Sequence, residues 1–360
     1  MSSLNIYKKF FKDKKILVTG HTGFKGAWLC QILLLFEAKI MGISNTKVSK
    51  INLFDILKLN NKVKNFKYDL SKNKKFEKEV VKFNPDYIFH LAAQSLVYES
   101  YRNPYKTFYN NLNSSLNLLE VCQKIKGLKS IIFVTSDKCY EPVIKKKKLL
   151  SENDPLGGND PYSLSKACTE HIFKHYKNSY FKINNIGAAS VRAGNVIGGG
   201  DWAANRLIPD FITSINKKKF ILRNPRSIRP WQHVLDCLFG YIILLKKLKN
   251  NPKKYSGSWN FGPQNKDITT QKLIFEFQKK MRFKNKIEII KPKKNKYKET
   301  KLLKLSTIKT KTKLNYNPIL KINDSISFTA SWYKNYFEKK MNSSKFTNLQ
   351  IENYLNKLKN

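Results

Sequence analysis

Short apolar runs rich in β-branched residues alternate along this chain with longer stretches whose apolar positions recur at helical spacing. The first run, Lys15–Thr19, stops at Gly20-His21-Thr22-Gly23-Phe24-Lys25-Gly26, and Trp28, Leu29, Ile32, Leu33 and Phe36 then follow a helical period. The same reading predicts strands over 39–43, ending near Ser44; over 65–68, ending in Asp69-Leu70; over 87–91, ending in Ala92-Ala93-Gln94; and over 130–135. Helices are predicted over 104–124 and 161–177, and strands near 186–192 and 258–261 return to the same sheet. Strand and helix in alternation mean an α/β fold, a doubly wound parallel (Rossmann-type) sheet, whose ligands lie beyond the carboxyl ends of the strands. The 360 residues can bury one large core and a smaller second lobe. Residues 1–190 are assigned to the sheet domain, 196–235 and 265–340 to a smaller C-terminal lobe, and 341–360, opened by Asn342-Ser343-Ser344, to a polar tail that frays or forms one short helix. No fixed repeat is evident.

The first strand, glycine turn and helix form a candidate dinucleotide site. Gly20, Gly23 and Gly26 let the backbone turn tightly beside a pyrophosphate, which would rest on the unpaired N–H groups and positive end of the helix. Thr22, Phe24 and Lys25 lie within the same turn. Glycines so spaced also serve plain turns; their place directly after the first strand favours the phosphate. The second strand should end in an acid for the adenosine ribose, yet Ser44 stands there. Ser44-Asn45-Thr46-Lys47 could hydrogen-bond the ribose, or Lys47 and Lys50 could take the extra phosphate of NADP, so the residues leave that choice open. Asp69, Leu70, Leu91, Ala92, Ala93 and Gln94, at later strand ends, complete the candidate cofactor positions.

Val134-Thr135-Ser136-Asp137-Lys138-Cys139-Tyr140 and Tyr162-Ser163-Leu164-Ser165-Lys166 supply the chemistry. Tyr162 and Lys166, four apart on one helix face, let an ammonium sit beside a phenol and lower its pKa, so that the tyrosine can act as a base near neutral pH. The spacing alone equally suits an amphipathic surface pair. Ser136, at a strand end, sharpens it, because its hydroxyl could hold the substrate oxygen that Tyr162 deprotonates. Asp137 and Lys138 exceed what oxidation of an alcohol requires. Beside a new ketone, a base could remove the neighbouring proton while an acid protonates an adjacent hydroxyl, so that water leaves. Asp137 suits the acid and Lys138 the base, given an aspartate pKa raised and a lysine pKa lowered by burial. Without these surroundings Asp137 would read as a turn residue and Lys138 as a solvated charge.

Together with His90-Leu91-Ala92-Ala93-Gln94, Pro155-Leu156-Gly157-Gly158, the stretch Val191-Arg192-Ala193-Gly194-Asn195-Val196-Ile197-Gly198-Gly199-Gly200-Asp201-Trp202 and Arg229-Pro230-Trp231-Gln232-His233-Val234, these words resemble the extended short-chain dehydrogenase/reductase family. Within it they are similar to the nucleotide-sugar dehydratases that act on CDP-glucose. The resemblance implies tightly held NAD, oxidation at C4 of the glucose, loss of water across C5 and C6, and hydride return to C6. It implies Tyr162 as base at the 4-hydroxyl with Lys166 in support, Ser136 as hydrogen-bond partner, Asp137 as acid at the 6-hydroxyl and Lys138 as the C5 base. Asn111 would serve the cofactor; Asn195, Arg206, Leu207, Arg229 and His233 the nucleotide sugar. A family motif Thr-Asn-x-x-Gly is changed here, with Ser114 in place of its glycine. The family further implies a homodimer, or dimer of dimers, joined through the helices at 104–124 and 161–177, with apolar stripes Phe108, Leu112, Leu116, Leu119 and Ile172, Phe173, Tyr176. An epimerase or another dehydratase of the family is the alternative, and a cofactor-bound inactive binder a further one; the latter would be expected to have lost Tyr162, Lys166 or Asp137.

Composition adds one clue. Of 69 basic residues seven are arginine, and Arg192, Arg206, Arg223, Arg226 and Arg229 fall within 38 residues of one another. A guanidinium fork grips phosphate in a way lysine cannot copy. Arg206 and Arg229 are therefore candidates to clamp a diphosphate, while ion pairing is the simpler reading for Arg223 and Arg226. The formal charge of +44 would ordinarily suggest nucleic acid or an anionic membrane. Because the lysines are spread over the whole chain, and the runs at 145–148 and 291–298 fall in predicted loops, no specific nucleic-acid partner is expected. Five scattered cysteines without C-x-x-C spacing support neither a disulfide framework nor zinc, and no histidines cluster with acids as metal ligands would. The opening residues are too short and polar for a signal peptide, and no long apolar run predicts membrane insertion. A cytoplasmic location is the expectation.

Overall fold

A computed structural model describes residues 2–358 except 46–48, 73, 143–148, 218, 265–267 and 291–302. Lys47 and the lysine runs at 145–148 and 291–298 thus lie outside the described residues. Seven strands, β1 (Lys15–Thr19), β2 (Lys39–Ser44), β3 (Lys64–Lys67), β4 (Tyr87–His90), β5 (Ser130–Val134), β6 (Gly187–Ala193) and β7 (Gly257–Phe261), form one sheet in the order β7-β6-β5-β4-β1-β2-β3. Every pairing in it is parallel. A parallel sheet is covered on both faces, which is why its strands read as continuous apolar runs. In β1, Ile16 and Val18 enter one core and Leu17 the other, all fully buried.

The order of strands reverses between β1 and β4, so the connections leaving those two strands diverge and open a crevice at their carboxyl ends. Thr19 stands opposite Ile43 and His90, and the Thr135 N–H just beyond β5 donates to the Val191 carbonyl at 3.0 Å. Helices α1 (Ser3–Phe11), α2 (Phe24–Leu35), α3 (Pro104–Cys122), α4 (Pro161–Tyr176) and α5 (Val234–Asn250) flank the sheet. The lobe beside it is assembled from three short strand pairs, Val196–Ile197 with Gln232–His233, Ile228–Arg229 with Ile268–Thr269 and Lys219–Leu222 with Lys286–Ile289, and from helices α6 (Thr270–Met281) and α7 (Ile322–Glu338). Among the described residues no helix is long and apolar enough to cross a membrane.

The stretch from 341 onward, expected to fray or form one short helix, is helical and packed into the core. It forms α8 (Ser343–Lys357), a helix of about four turns with Ile351, Tyr354 and Leu355 buried in the main core. Its polar residues face inward partners: Gln31 Nε2 donates to Asn348 Oδ1 at 2.5 Å, Trp332 Nε1 to Thr347 Oγ1 at 2.9 Å, and Tyr354 Oη to Asp236 Oδ1 at 2.8 Å. Composition misled because those side chains are polar yet paired inside.

Asp236, which also accepts from the Ile319 N–H at 2.9 Å, therefore ties α5 to the C-terminal helices. Burial pushes its pKa up from 3.8 to about 6, against the bonds from Ile319 and Tyr354 that lower it. A group whose pKa is raised on folding stabilises the fold fully below its unfolded pKa and loses that contribution as pH rises through the folded one, here about 3 kcal/mol between roughly pH 4 and pH 7. Asp236→Asn keeps the acceptor oxygen and removes the titration. Urea melts across that range should show the variant gaining about 3 kcal/mol on the wild type as pH rises; a constant difference would disprove the assignment.

Candidate active site

The glycine turn is built as its residue types require. Gly20 has φ +70°, and a Cβ there would lie 2.7 Å from the Ala92 nitrogen; at Gly26 it would lie 2.3 Å from the Gly20 carbonyl oxygen. Either would push the turn out of shape. Thr22 is held by its N–H donating to Ser44 Oγ at 3.4 Å, and that hydroxyl also bonds His21 Nδ1 at 3.2 Å, while His21 Nε2 bonds Asn65 Oδ1 at 2.7 Å. Ser44 thus braces the turn from the end of β2. Gly23 precedes α2 without any side chain capping the helix, which leaves the amino terminus to an anion. Phe24 and Lys25 begin that helix, both half-buried. These glycines, Ser44, and Asp69 with buried Leu70 at the end of β3 form a cradle that fits a dinucleotide. Asp69 accepts from the Ser71 N–H at 3.0 Å and its hydroxyl at 2.7 Å; against burial, those bonds hold its pKa below the usual range.

After β4, Leu91, Ala92, Ala93 and Gln94 form the opposite wall, all half-buried. Asn111, expected at the cofactor, instead sits behind that wall, 1 % exposed. Its Oδ1 accepts from the Gln94 N–H at 2.7 Å and its Nδ2 donates to Ser165 Oγ at 2.9 Å, so its side chain is consumed in joining the wall to α4. Ser114 fits in place of the family's glycine by turning its hydroxyl back to the Asn111 carbonyl at 3.4 Å.

The residues expected to do acid–base chemistry converge at the mouth of β5. Ser136, Asp137, Tyr162 and Lys166 are each 5–8 % exposed, on the floor of the crevice. Asp160 caps α4, accepting from the Ser163 N–H at 2.9 Å, and Pro161 opens the helix, which directs Tyr162 from its first turn. Ser136 stands beside the Tyr162 phenol, whose pKa it helps to lower, and donates to Asp137 Oδ1 at 3.1 Å. Burial raises the Asp137 pKa, although Lys138, Ser136, Lys25 and Arg229 pull the other way. Gly194 keeps space beside it, since a Cβ there would stand 3.2 Å from Asp137 Oδ2. Lys138 is half-buried on the same turn.

Two electrostatic expectations change. The Tyr162 pKa is pushed up to about 12, because burial outweighs the help of Ser136 and Arg206. Lys166, rather than lowering the phenol, is itself lowered to about 8 by burial and the nearby Lys25 ammonium. Lys25 therefore belongs to the site as a charge as well as through the turn.

Among the residues expected to hold substrate, Asn195 accepts through its carbonyl from the Gln232 N–H at 3.0 Å, and Leu207 begins the helix Leu207–Thr213, half-buried. Arg206 Nη1 pairs with Asp201 Oδ2 at 3.0 Å and Nη2 donates to Ser95 Oγ at 3.2 Å, so it spans the mouth between the lobe and the β4 wall. Arg229 Nη1 donates to the Ile228 carbonyl at 3.0 Å, and its charge reaches Asp137. His233 is a correction: it is fully buried between Trp28 and Phe328, its Nδ1 accepts from the Leu235 N–H to start α5, and burial lowers its pKa to about 3. Its side chain has no exposed surface at the crevice. Arg192 sits with Glu170 beneath the floor, 2.8 Å from Nη2 to Oε2. Glu170, four residues past Lys166 on the same helix, had a helical spacing that could have flagged it; Tyr140 and Asn260 carried no such signal.

Residues 16–262 match the NAD dependent epimerase/dehydratase family. Over 337 residues, covering 91 % of this chain and 93 % of the relative, the sequence is 38 % identical to a CDP-glucose 4,6-dehydratase of Salmonella typhimurium. The chain belongs to this NAD dependent epimerase/dehydratase family. Its fold agrees: a dTDP-glucose 4,6-dehydratase of Bacillus anthracis solved with NAD has a TM-score of 0.75 at 22 % identity, covering 90 % of this chain and 98 % of that one. A UDP-glucose 4-epimerase of Thermotoga maritima solved with UDP-glucose has a TM-score of 0.77 at 21 % identity, covering 90 % and 99 %. As a member of the epimerase/dehydratase family this chain is an enzyme, and NAD is its cofactor.

Proposed function

We propose that this chain is a nucleotide-sugar 4,6-dehydratase acting on CDP-glucose, giving CDP-4-keto-6-deoxyglucose and water. The observation that carries the reading is a candidate second proton carrier beside the alcohol-oxidising pair: Asp137, buried, with a raised pKa, hydrogen-bonded to the Ser136 that stands beside Tyr162. An epimerase has no water to expel and no use for it. Identity to the Salmonella typhimurium enzyme along nearly the full length supports the same substrate.

The glycine cradle, Ser44 and Asp69 would hold NAD, which when bound takes a hydride from the sugar carbon, returns it later and brings a positive charge to the crevice. The protein's own part is proton traffic. Tyr162, beside Ser136, receives the proton of the 4-hydroxyl, with Lys166 one turn along in support and the Arg206 charge favouring the deprotonated phenol. The resulting ketone acidifies the C5–H, for which Lys138 is the nearest base in sequence. Asp137 gives its proton to the 6-hydroxyl as the C–O bond breaks. Arg229 and Arg206, at the lobe side of the mouth, would face the diphosphate, with Asn195 and Leu207 beside them. Two copies would meet through α3 and α4, where Phe108, Leu112, Leu116 and Ile172 are only half-buried while Leu119, Phe173 and Tyr176 are taken up by the core.

The test is incubation with CDP-glucose and, separately, dTDP-glucose, UDP-glucose and GDP-mannose, following loss of one water by mass spectrometry with and without added NAD. Dehydration of the CDP sugar alone is expected. Turnover of another nucleotide would move the specificity, and silence on all four by NAD-loaded protein would overturn the dehydratase reading.

A further inference from the structure

A buried polar frame beneath the crevice has no part in the chemistry above. Glu170 and Arg192 are both about 2 % exposed and paired twice, Nε to Oε1 at 3.0 Å and Nη2 to Oε2 at 2.8 Å. The Thr135 hydroxyl donates to Glu170 Oε1. Arg192 Nη1 donates to Tyr140 Oη at 2.8 Å and lies over its ring, 4.8 Å from the centroid, and Tyr140 in turn donates to Asn260 Oδ1 at 2.7 Å. Ser190 Oγ completes the carboxylate at 2.8 Å.

Thr135 and Tyr140 are the two ends of the segment that carries Ser136, Asp137 and Lys138. Glu170 lies one turn beyond Lys166 and two beyond Tyr162 on α4. One ion pair therefore grips both ends of the acid-bearing segment and the helix that bears the base. A buried ion pair rarely stabilises a fold more than apolar residues of the same volume would, because desolvation offsets its attraction. Stability alone is a poor reason for this frame.

We infer that Glu170 and Arg192 are positioning residues, which hold the Ser136–Lys138 segment in register with Tyr162 through Thr135 and Tyr140. This rests on the dehydratase reading for its kinetic readout. A loosened segment should misplace Ser136 and Asp137 relative to the sugar without touching the nucleotide contacts, which come from the lobe. The cost then falls on kcat and spares KM.

The test releases the segment while leaving the ion pair intact, in the double variant Thr135→Val, Tyr140→Phe. Both replacements nearly preserve volume. Expected is a kcat lower by about 30-fold, with KM within about threefold of wild type, since displacements of order an ångström can cost up to about a hundredfold. Each single variant should lose less. A double variant that melts earlier yet keeps wild-type kcat per folded, NAD-loaded molecule would overturn the inference and leave the frame a purely structural one. Should the pair of changes prevent folding, Thr135→Val alone decides the matter by the same comparison. A crystal structure of the folded variant needs no turnover: displacement of Ser136 and Asp137 from their places beside Tyr162 is expected, and an unmoved segment would overturn the inference. If wild type dehydrates no nucleotide sugar, the functional reading fails while that structural readout still judges the positioning.

Discussion

Tyr162→Phe is expected to lower kcat for water loss from CDP-glucose by about 10³-fold, within the usual range for removing a positioned general base, while KM changes little. The ring fills the same space on α4 and only the phenolic proton carrier is lost, so the fold and the cradle should survive. Burial raises the phenol's pKa in the protein alone and the positive charge of bound NAD opposes that rise, so wild-type activity should increase with pH as the base becomes available. The sign follows from the role: a base works only once deprotonated. Steady-state rates by mass spectrometry, measured per NAD-loaded molecule, decide it. A Phe variant within about threefold of wild type would remove Tyr162 from the mechanism, and an acid limb surviving in the residual activity of a crippled variant would assign that limb to another group.

Asp137→Asn should cost about 10²- to 10³-fold in water loss, since the amide keeps the shape and the contact with Ser136 but has no acidic proton to give. The pH signature is opposite to that of Tyr162. An acid works only while protonated, so wild-type activity should fall as pH rises through the elevated Asp137 pKa, and this alkaline limb should vanish in the variant. Retained dehydration by the Asn variant would transfer the acid role elsewhere and weaken the dehydratase reading with it. Loss of activity with the alkaline limb intact would mean that Asp137 shapes the site without titrating in it.

Much of this protein was legible in its residues. The strand and helix alternation gives the parallel sheet because side-chain period and chain direction are local matters, and a glycine at 20 announces a backbone conformation that other residues avoid. Ser136, Asp137, Tyr162 and Lys166 could be singled out because short words around them carry the local geometry, a strand end and a helix face, that their chemistry needs. What contacts a side chain makes across the fold was not legible. His233 and Asn111 stand in family words yet turn inward, one to cap α5 in the core and the other to lock Gln94 to Ser165. The C-terminal stretch reads as a polar tail because the groups that pair with it stand far away along the chain, Asp236 for Tyr354 and Gln31 for Asn348. Polarity in a sequence reports what water would accept, and it cannot report which polar groups will find each other inside.

The chain by itself therefore determined the sheet, the cofactor turn and the candidates proposed as proton carriers, because each depends on residues close together in sequence. Only the tertiary structure decided which charges feel one another. Burial at the mouth of β5 raises Asp137 and Tyr162 and lowers Lys166, and Lys25 from a different strand–helix turn adds to that lowering. It also decided that Arg192 leaves the arginine cluster to pair with Glu170 beneath the floor, while Arg206 spans the mouth above it. The reason is physical: desolvation and Coulomb interaction depend on distance and on the exclusion of water in three dimensions, and spacing along the chain encodes neither.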